Sequence, residues 1–511
     1  MSRLAGGTAL ALCALATSAL ADVTPQQVWD DLARYMRDFG YTVQADQSSS
    51  GDTLTVSNVT LSMEFDSGDG PEGEAGGGTV AVRMDEIVLR DRGDGSVAVE
   101  FPASMPIDMA FNDGEDVVEL TVDYTHDGLE MVVSGVPDAL VYDYTADSLK
   151  LEMTDLRVAG DAIGRDMGRL SVDMGQVSGQ STITRTEALT SAAQDMTLGE
   201  VRYDLAFDDP EDDTAGEYSG TLTGVEITGT SDIPRGVNLE DMAAAIAAGF
   251  GGTARLSHDG SENRFSVTEE GAETTGQTGS DEGAFEFEIS GDRMRYSATT
   301  RGGRIALAGD EMPLPVTASL GEMEFSMSVP MQPSETPQDA SLTLNLNELS
   351  VSEVIWNAFD PSGRLPRTPA SFVLDIGAQV TPRVSLFDAD AIEALDEQPP
   401  GELNTVTLRD LTLQAGGGEL TGVGAFTFDN DDLETFNGMP RPEGTLELTV
   451  SGANALIDNL IAMGLMTDED AMGARMMLSM FTVPGSEPDT ATSTIQINER
   501  GHISANGQRI Q

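Results

Sequence analysis

Cysteine, lysine, histidine and aromatic residues are all scarce in this chain of 511 residues. The only cysteine is Cys13, in an N-terminal segment that reads as a leader, so the mature chain offers no disulfide and no thiolate metal site. Stability must then come from packing alone. Lys150 is the only lysine, and 27 basic residues face 87 acidic ones, a formal charge of −60. A surface so acidic repels phosphate backbones and anionic head groups, which excludes nucleic acid and electrostatic membrane binding as expected partners. Solubility in a salty medium accounts for the charge, and so does binding of divalent cations or a basic partner. No run after residue 21 reaches the ~18 apolar residues of a membrane span. The longest candidate, Met242 to Phe250, is too short.

The first 21 residues carry a processing signal. Arg3 is a short positive start, Leu4 to Thr17 an apolar stretch, and Ala19, Leu20 and Ala21 a small-residue cleavage site. This pattern is a secretory signal peptide, so the expected location is the periplasm of a Gram-negative cell. Lipidation of Cys13 is disfavoured by Leu12, which stands where a small residue is needed. After cleavage we expect no transmembrane segment.

What fills the rest is two-residue alternation. Leu54, Val56, then Val59, Leu61, Met63 and Phe65 is one example; Leu342, Leu344, Leu346 and Leu446, Leu448, Val450 are others. Apolar residues on one side and polar ones on the other mark half-buried antiparallel strands. Hairpin turns are signalled at Asp94-Gly95, Asp113-Gly114, Asp127-Gly128, Asp259-Gly260 and Asn506-Gly507. A phrase of apolar, any, apolar, any, Asn or Asp, apolar, any, apolar recurs around Asn58, Asp155 and Asp410. Its phase break predicts a bulge inside a long strand.

Helices are few. Thr24, Pro25 and Gln27 form a capping box ahead of a stripe of Val28, Leu32, Met36 and Phe39. A second helix is expected from Asn238, with Leu239, Met242, Ile246 and Phe250 on one face. A short third carries Val354, Ile355 and Phe359 before Asp360-Pro361. A pair is expected over Asn454 to Met463 and Asp468 to Phe481. Ser67 to Gly78 and Glu269 to Gly283 read as exposed loops. The fold class is therefore mainly β: long antiparallel sheets, curved or sandwiched, with a few packing α-helices. Three segments are expected: a signal peptide over 1–21, an N-terminal β lobe opened by a helix over 22–236, and a second β lobe with a helical pair and C-terminal hairpin over 237–511.

No catalytic, cofactor or metal residue emerges. Gly68, Gly70 and Gly73 match the dinucleotide-binding spacing, but Pro71, Glu72 and Gly76 to Gly78 follow where a helix is needed, and the acidic side chains would repel a pyrophosphate. His126, His258 and His502 are expected at exposed hairpin positions, outside any zinc or hydrolase motif. Asp208 to Asp213 and Asp429 to Glu434 supply carboxylates without the spacing of a calcium loop. Met472, Met476 and Met480 fall at helical spacing, which reads first as a core stripe and second as an adaptable apolar surface. Trp356, Arg364 and Arg367 form a candidate partner surface in a Pro-rich connector, where the arginines could equally pair with Asp360 and Asp375.

From Trp356 to Pro369 and the strand at Phe372, and in the helix of Trp29 and the ending Gly501 to Gln508, the chain resembles the proteobacterial family called domain of unknown function 2125. That resemblance implies an exported, β-rich protein and transfers no catalytic residues. The strand phrase is also similar to that of AsmA-type envelope proteins, whose long curved sheets form lipid-holding grooves. The expected function is a non-enzymatic periplasmic envelope protein that binds lipid or another apolar ligand in a β groove. The alternative is a protein-binding or structural module serving an envelope protein partner. Neither requires a cofactor.

Overall fold

The computed structural model describes residues 23–69, 75–112, 117–165, 167–209, 213–237, 241–395 and 399–510. The expected signal peptide with Cys13, the Asp113-Gly114 turn, Asn238 and Leu239, and parts of the 68–73 and 208–213 motifs lie outside them.

Helix α1 (Pro25–Asp38) opens the described chain with the capping box foreseen at Thr24. Its buried side is Val28, Trp29, Asp31 and Ala33, so the packed face is turned away from Phe39, which is exposed. Strands β1 (Thr42–Ser50), β2 (Thr53–Asp69) and β3 (Ala75–Asp91) follow as a meander. Next come β4 (Val97–Glu100), β5 (Ser104–Asn112), β6 (Val117–Asp127) and β7 (Glu130–Val136), then β8 (Ala139–Val158) and the short β9 (Asp161–Ala162). Long strands β10 (Gly168–Arg185), β11 (Leu189–Asp209) and β12 (Thr214–Pro234) continue the sheet. The longest hold 21 residues, about 70 Å of extended chain.

After α2 (Met242–Ala247) come β13 (Gly251–His258), β14 (Gly260–Glu269), β15 (Ala272–Ser280), β16 (Glu282–Ile289) and β17 (Arg293–Gly309). Then β18 (Val316–Pro330), β19 (Gln338–Val351), α3 (Glu353–Phe359), β20 (Ala370–Pro382), α4 (Ala389–Glu393), β21 (Gly401–Ala415), β22 (Gly418–Asp429) and β23 (Arg441–Ser451). The chain ends through α5 (Ala453–Ala462), α6 (Asp468–Phe481), β24 (Val483–Pro484), β25 (Thr490–Ile497), β26 (Ile503–Ala505) and β27 (Gln508–Arg509).

All these strands form one antiparallel sheet, so the protein is mainly β. Each long strand pairs with its sequence neighbour, and β12 pairs with β11, β13 and β14, leaving no gap in the sheet at residue 236. One plan occurs twice. Strand β3 pairs with β4 at one end and β5 at the other, and β7 and β6 carry these pairings on to β8. Strand β12 meets β13 and β14 in the same way, and β16 and β15 lead on to β17. The Glu269–Gly283 region, expected as a loop, supplies strands of this second unit, and Gly76 to Gly78 lie in β3. Their backbone groups find ladder partners, which polarity of the side chains does not forbid.

The phase breaks are real. Asn58 takes φ 53°, and the pairing skips it between Ser57 and Val59. Register also slips beside Asp155 and at Asp410. Related breaks occur at Gln176, Gly224, Gly302 and Glu348, all at positive φ.

Burial is concentrated at one end. Trp29 and Val28 of α1 pack with Leu54, Val56, Ile87, Leu89, Val97, Val133, Leu140 and Ile183. Beneath the helix Asp31 pairs with Arg185, and the Tyr142 hydroxyl donates to Asp31 Oδ2 at 2.8 Å. All three side chains are buried, and burial pushes the Tyr142 phenol well above its usual value. From β13 on, few of the described side chains are buried. Much of the sheet therefore lacks a second layer.

Candidate functional site

Side chains of directly paired residues lie on the same side of a sheet, so register assigns every strand residue to a face. Following Leu54 and Leu89 of the helix-covered core from strand to strand defines one continuous face. Through β17 to β23 it carries Tyr296, Phe325, Leu344, Leu374, Leu408 and Leu446, each paired with its neighbour on the next strand or one pair away from it. No charged residue stands on this face between β17 and β23, in a chain with 22% charged residues. The opposite face of the same strands is Ser326, Thr343, Asn345, Thr407, Thr427 and Glu447, the polar half of the alternation.

An apolar face normally buries itself. Here it does so under α1 and in a second buried cluster of Ala146, Val177, Leu198, Val201 and Val225. From β17 to β23 none of its large apolar side chains is buried; Ile305, Met323, Leu346, Leu349 and Leu413 are more than a third exposed. An edge-to-face ladder of Phe285, Tyr296 and Phe325, with centroids 5.1 and 5.5 Å apart, crosses three strands without a covering layer. Exposed apolar area this extended marks a binding surface in a soluble protein.

Cavities indent both sides of the sheet. A cavity of about 540 Å³ opens on the apolar face between β12 and β19, with Leu222, Ile305, Leu320, Met323 and Leu349 in its wall. A larger one of about 1010 Å³ lies on the polar face, with Arg202, Arg264, Gln277, Thr317 and Ser319 among its lining. The first sets an apolar wall against polar side chains, as small-molecule sites do.

The sequence-derived candidates scatter. Trp356 lies against Phe359 with the rings tilted at 42° and centroids 4.9 Å apart, and is half-buried. Arg367 pairs with Glu353 and donates to Asn357 Oδ1 at 2.9 Å. Arg364 is exposed, and only its backbone N–H reaches Asp360, at 3.0 Å. Neither arginine makes the expected pair; Asp375 is held by Arg409. Asp360 is fully buried and accepts from the backbone of Arg364 and Leu365, and these bonds hold its carboxyl below the usual range. It ties the connector together.

Other expectations are corrected. The three histidines are half-buried, not exposed, because they sit in strand pairings or against neighbouring backbone. His126 Nε2 is 3.0 Å from the Pro102 carbonyl. Met472, Met476, Met477 and Met480 are more than half exposed, so the helical stripe is no core: α6 leans on α5 through Ala471, its only buried residue. Asp429 and Asp432 are bound by Arg441 at 2.6 and 2.9 Å. Among the described residues no helix is long and apolar enough to cross a membrane.

A family model described as "Uncharacterized protein conserved in bacteria (DUF2125)" matches residues 243–504, more than half of the chain. The match takes in β13 to β25 and thus the uncovered part of the apolar face. No curated protein matches the chain.

Proposed function

The chain belongs to the DUF2125 family of uncharacterized bacterial proteins, and from that premise we propose that it is an exported, non-enzymatic protein of the periplasmic envelope that holds the acyl part of a lipid along the apolar face of its sheet. One observation carries this reading. The face of β17 to β23 is apolar from strand to strand, free of charge, and without a buried large apolar side chain, with Leu456 of α5 over its margin at Gly418. Acyl chains gain about 25 cal/mol for each Å² they and the sheet remove from water, and they need no directional partner. The signal-peptide pattern of residues 1–21 supports export, and the strong negative charge keeps so apolar a surface from self-association.

Native mass spectrometry of the protein purified from its own cells without detergent, with lipid extraction of the same sample, tests the proposal. Stoichiometric acyl lipid is the expected result. A clean apo mass with no extractable lipid overturns it. A second reading, an envelope module that binds another protein, is favoured by the exposed methionines of α6, since such side chains adapt to varied partners. Capture of one stoichiometric protein partner, abolished by Met476→Glu with Met480→Glu, would support that reading instead.

A further inference from the structure

A polar patch lies on the apolar face beside its uncovered part. Where β13, β14 and β15 cross that face, the inward positions include His258, Ser261, Asn263, Thr278 and Ser280. They form a polar island of two hydrogen-bonded pairs beside His258. Ser261 Oγ and Ser280 Oγ are 2.7 Å apart, Asn263 Nδ2 donates to Thr278 Oγ1 at 3.2 Å, and the Tyr203 hydroxyl donates to Asn263 Oδ1 at 2.8 Å. The island lines the 540 Å³ cavity, whose other wall is Ile305, Leu320, Met323 and Leu349. One side of the cavity is thus polar and the other opens onto the uncovered face.

His258 is the unused group. Its ring lies over Gly283, where a Cβ would stand 2.2 Å from Nε2, so the glycine makes room for the imidazole. Its Nδ1 is shielded from water and has no partner. A buried polar atom without a partner is costly unless something else supplies one. Neutral imidazole offers one donor and one acceptor, as hydroxyls do.

Resting on the acyl-binding reading above, we infer that this island is the head-group subsite and that it takes an uncharged, oxygen-bearing head, an ester with free hydroxyls, on a single acyl chain. The head hydrogen-bonds His258, Thr278 and Ser280, and the chain runs over Leu320 and Met323 towards β19. Charge selects against anionic heads. Arg304 reaches the cavity, but Asp281 holds it at 2.7 Å, and the chain as a whole is strongly negative. A phosphate or carboxylate would find hydroxyls and no free cation there.

The test is a binding titration of the whole protein with three probes: 1-monopalmitoylglycerol, palmitate, and the apolar fluorophore N-phenyl-1-naphthylamine. Monopalmitoylglycerol should bind more tightly than palmitate. His258→Leu and, independently, Thr278→Val should each weaken monopalmitoylglycerol by roughly three- to tenfold, the worth of one hydrogen bond, and leave the fluorophore unchanged. Circular dichroism confirms folding, and the gentler Thr278→Val serves if His258→Leu does not fold. Equal or tighter binding of palmitate overturns the inference, as does a loss shared by all probes or by none. If no probe binds the wild type, the acyl-binding reading itself fails; if the fluorophore binds but the head makes no difference, only the subsite fails.

Discussion

The two ends of this sheet are written in the same alternation and end in opposite states. Leu54 and Leu89 lie at 2% and 0% exposure beneath α1, whereas Leu346 and Leu349, equally regular inward positions, lie at 38% and 41%. Strand, register and side-chain chemistry are alike. What differs is a helix that lays Val28, Trp29 and Ala33 onto the face and brings a buried Asp31–Arg185 pair with it. The covered end is a core and serves stability; the uncovered part exposes the same chemistry to a ligand.

Substitutions can break that contrast. The largest effect is expected at the buried pair. Asp31→Ala leaves Arg185 buried without its partner and should cost about 3–5 kcal/mol in urea unfolding. A loss under about 1 kcal/mol would mean that the helix is a loose cover. Next comes one substitution at two places. Leu89→Ala should cost about 2–5 kcal/mol as a core truncation. Leu346→Ala, on the uncovered face, should cost under about 1 kcal/mol yet weaken acyl binding. Equal losses at both sites would show that the face of β19 is packed in solution and erase the contrast.

A smaller, pH-dependent effect separates the connector from both. The folded state holds the Asp360 carboxyl below its ordinary 3.8. Its contribution is therefore present above that value and lost as the pH falls through the lower, folded-state value. Against Asp360→Asn, the wild type should be more stable at pH 6, and the gap should narrow as the pH falls below 3.8, followed by tryptophan fluorescence. A gap that widens on acidification would refute the assignment. The smallest effect has the opposite sign. Glu348 holds φ 56°, which costs a residue with a Cβ about 1–2 kcal/mol, so Glu348→Gly should stabilise by up to about 1 kcal/mol. Asn58→Gly, at the covered end, should gain less, because Asn tolerates this conformation and its side chain donates to Asp46 at 2.9 Å.

Much of the local structure could be read from single residues. The Thr24–Gln27 box starts α1, and the break at Asn58 marks the change of phase. Sites were less legible. Thr278 and Ser280 fall in the Glu269 to Gly283 stretch that reads as a loop, and nothing local says that they, Ser261 and Asn263 share a face with Leu222 and Leu320. Only the register through β12, β14, β15, β17 and β18 puts them together. The methionines of α6 misled for a similar reason: spacing shows that Met472, Met476 and Met480 share a side of the helix, and not whether anything packs against it.

Residue order is enough to make the chain pair into long antiparallel strands with one apolar side. That follows because successive side chains in an extended chain point to opposite faces, and a period of two is readable residue by residue. Tertiary structure alone decided where that apolar side is covered and where it is left open. Covering is a long-range event: it depends on which element the chain carries over the face, as α1 carries Trp29 over Leu54, and no residue of β19 records that nothing comes to cover Leu346.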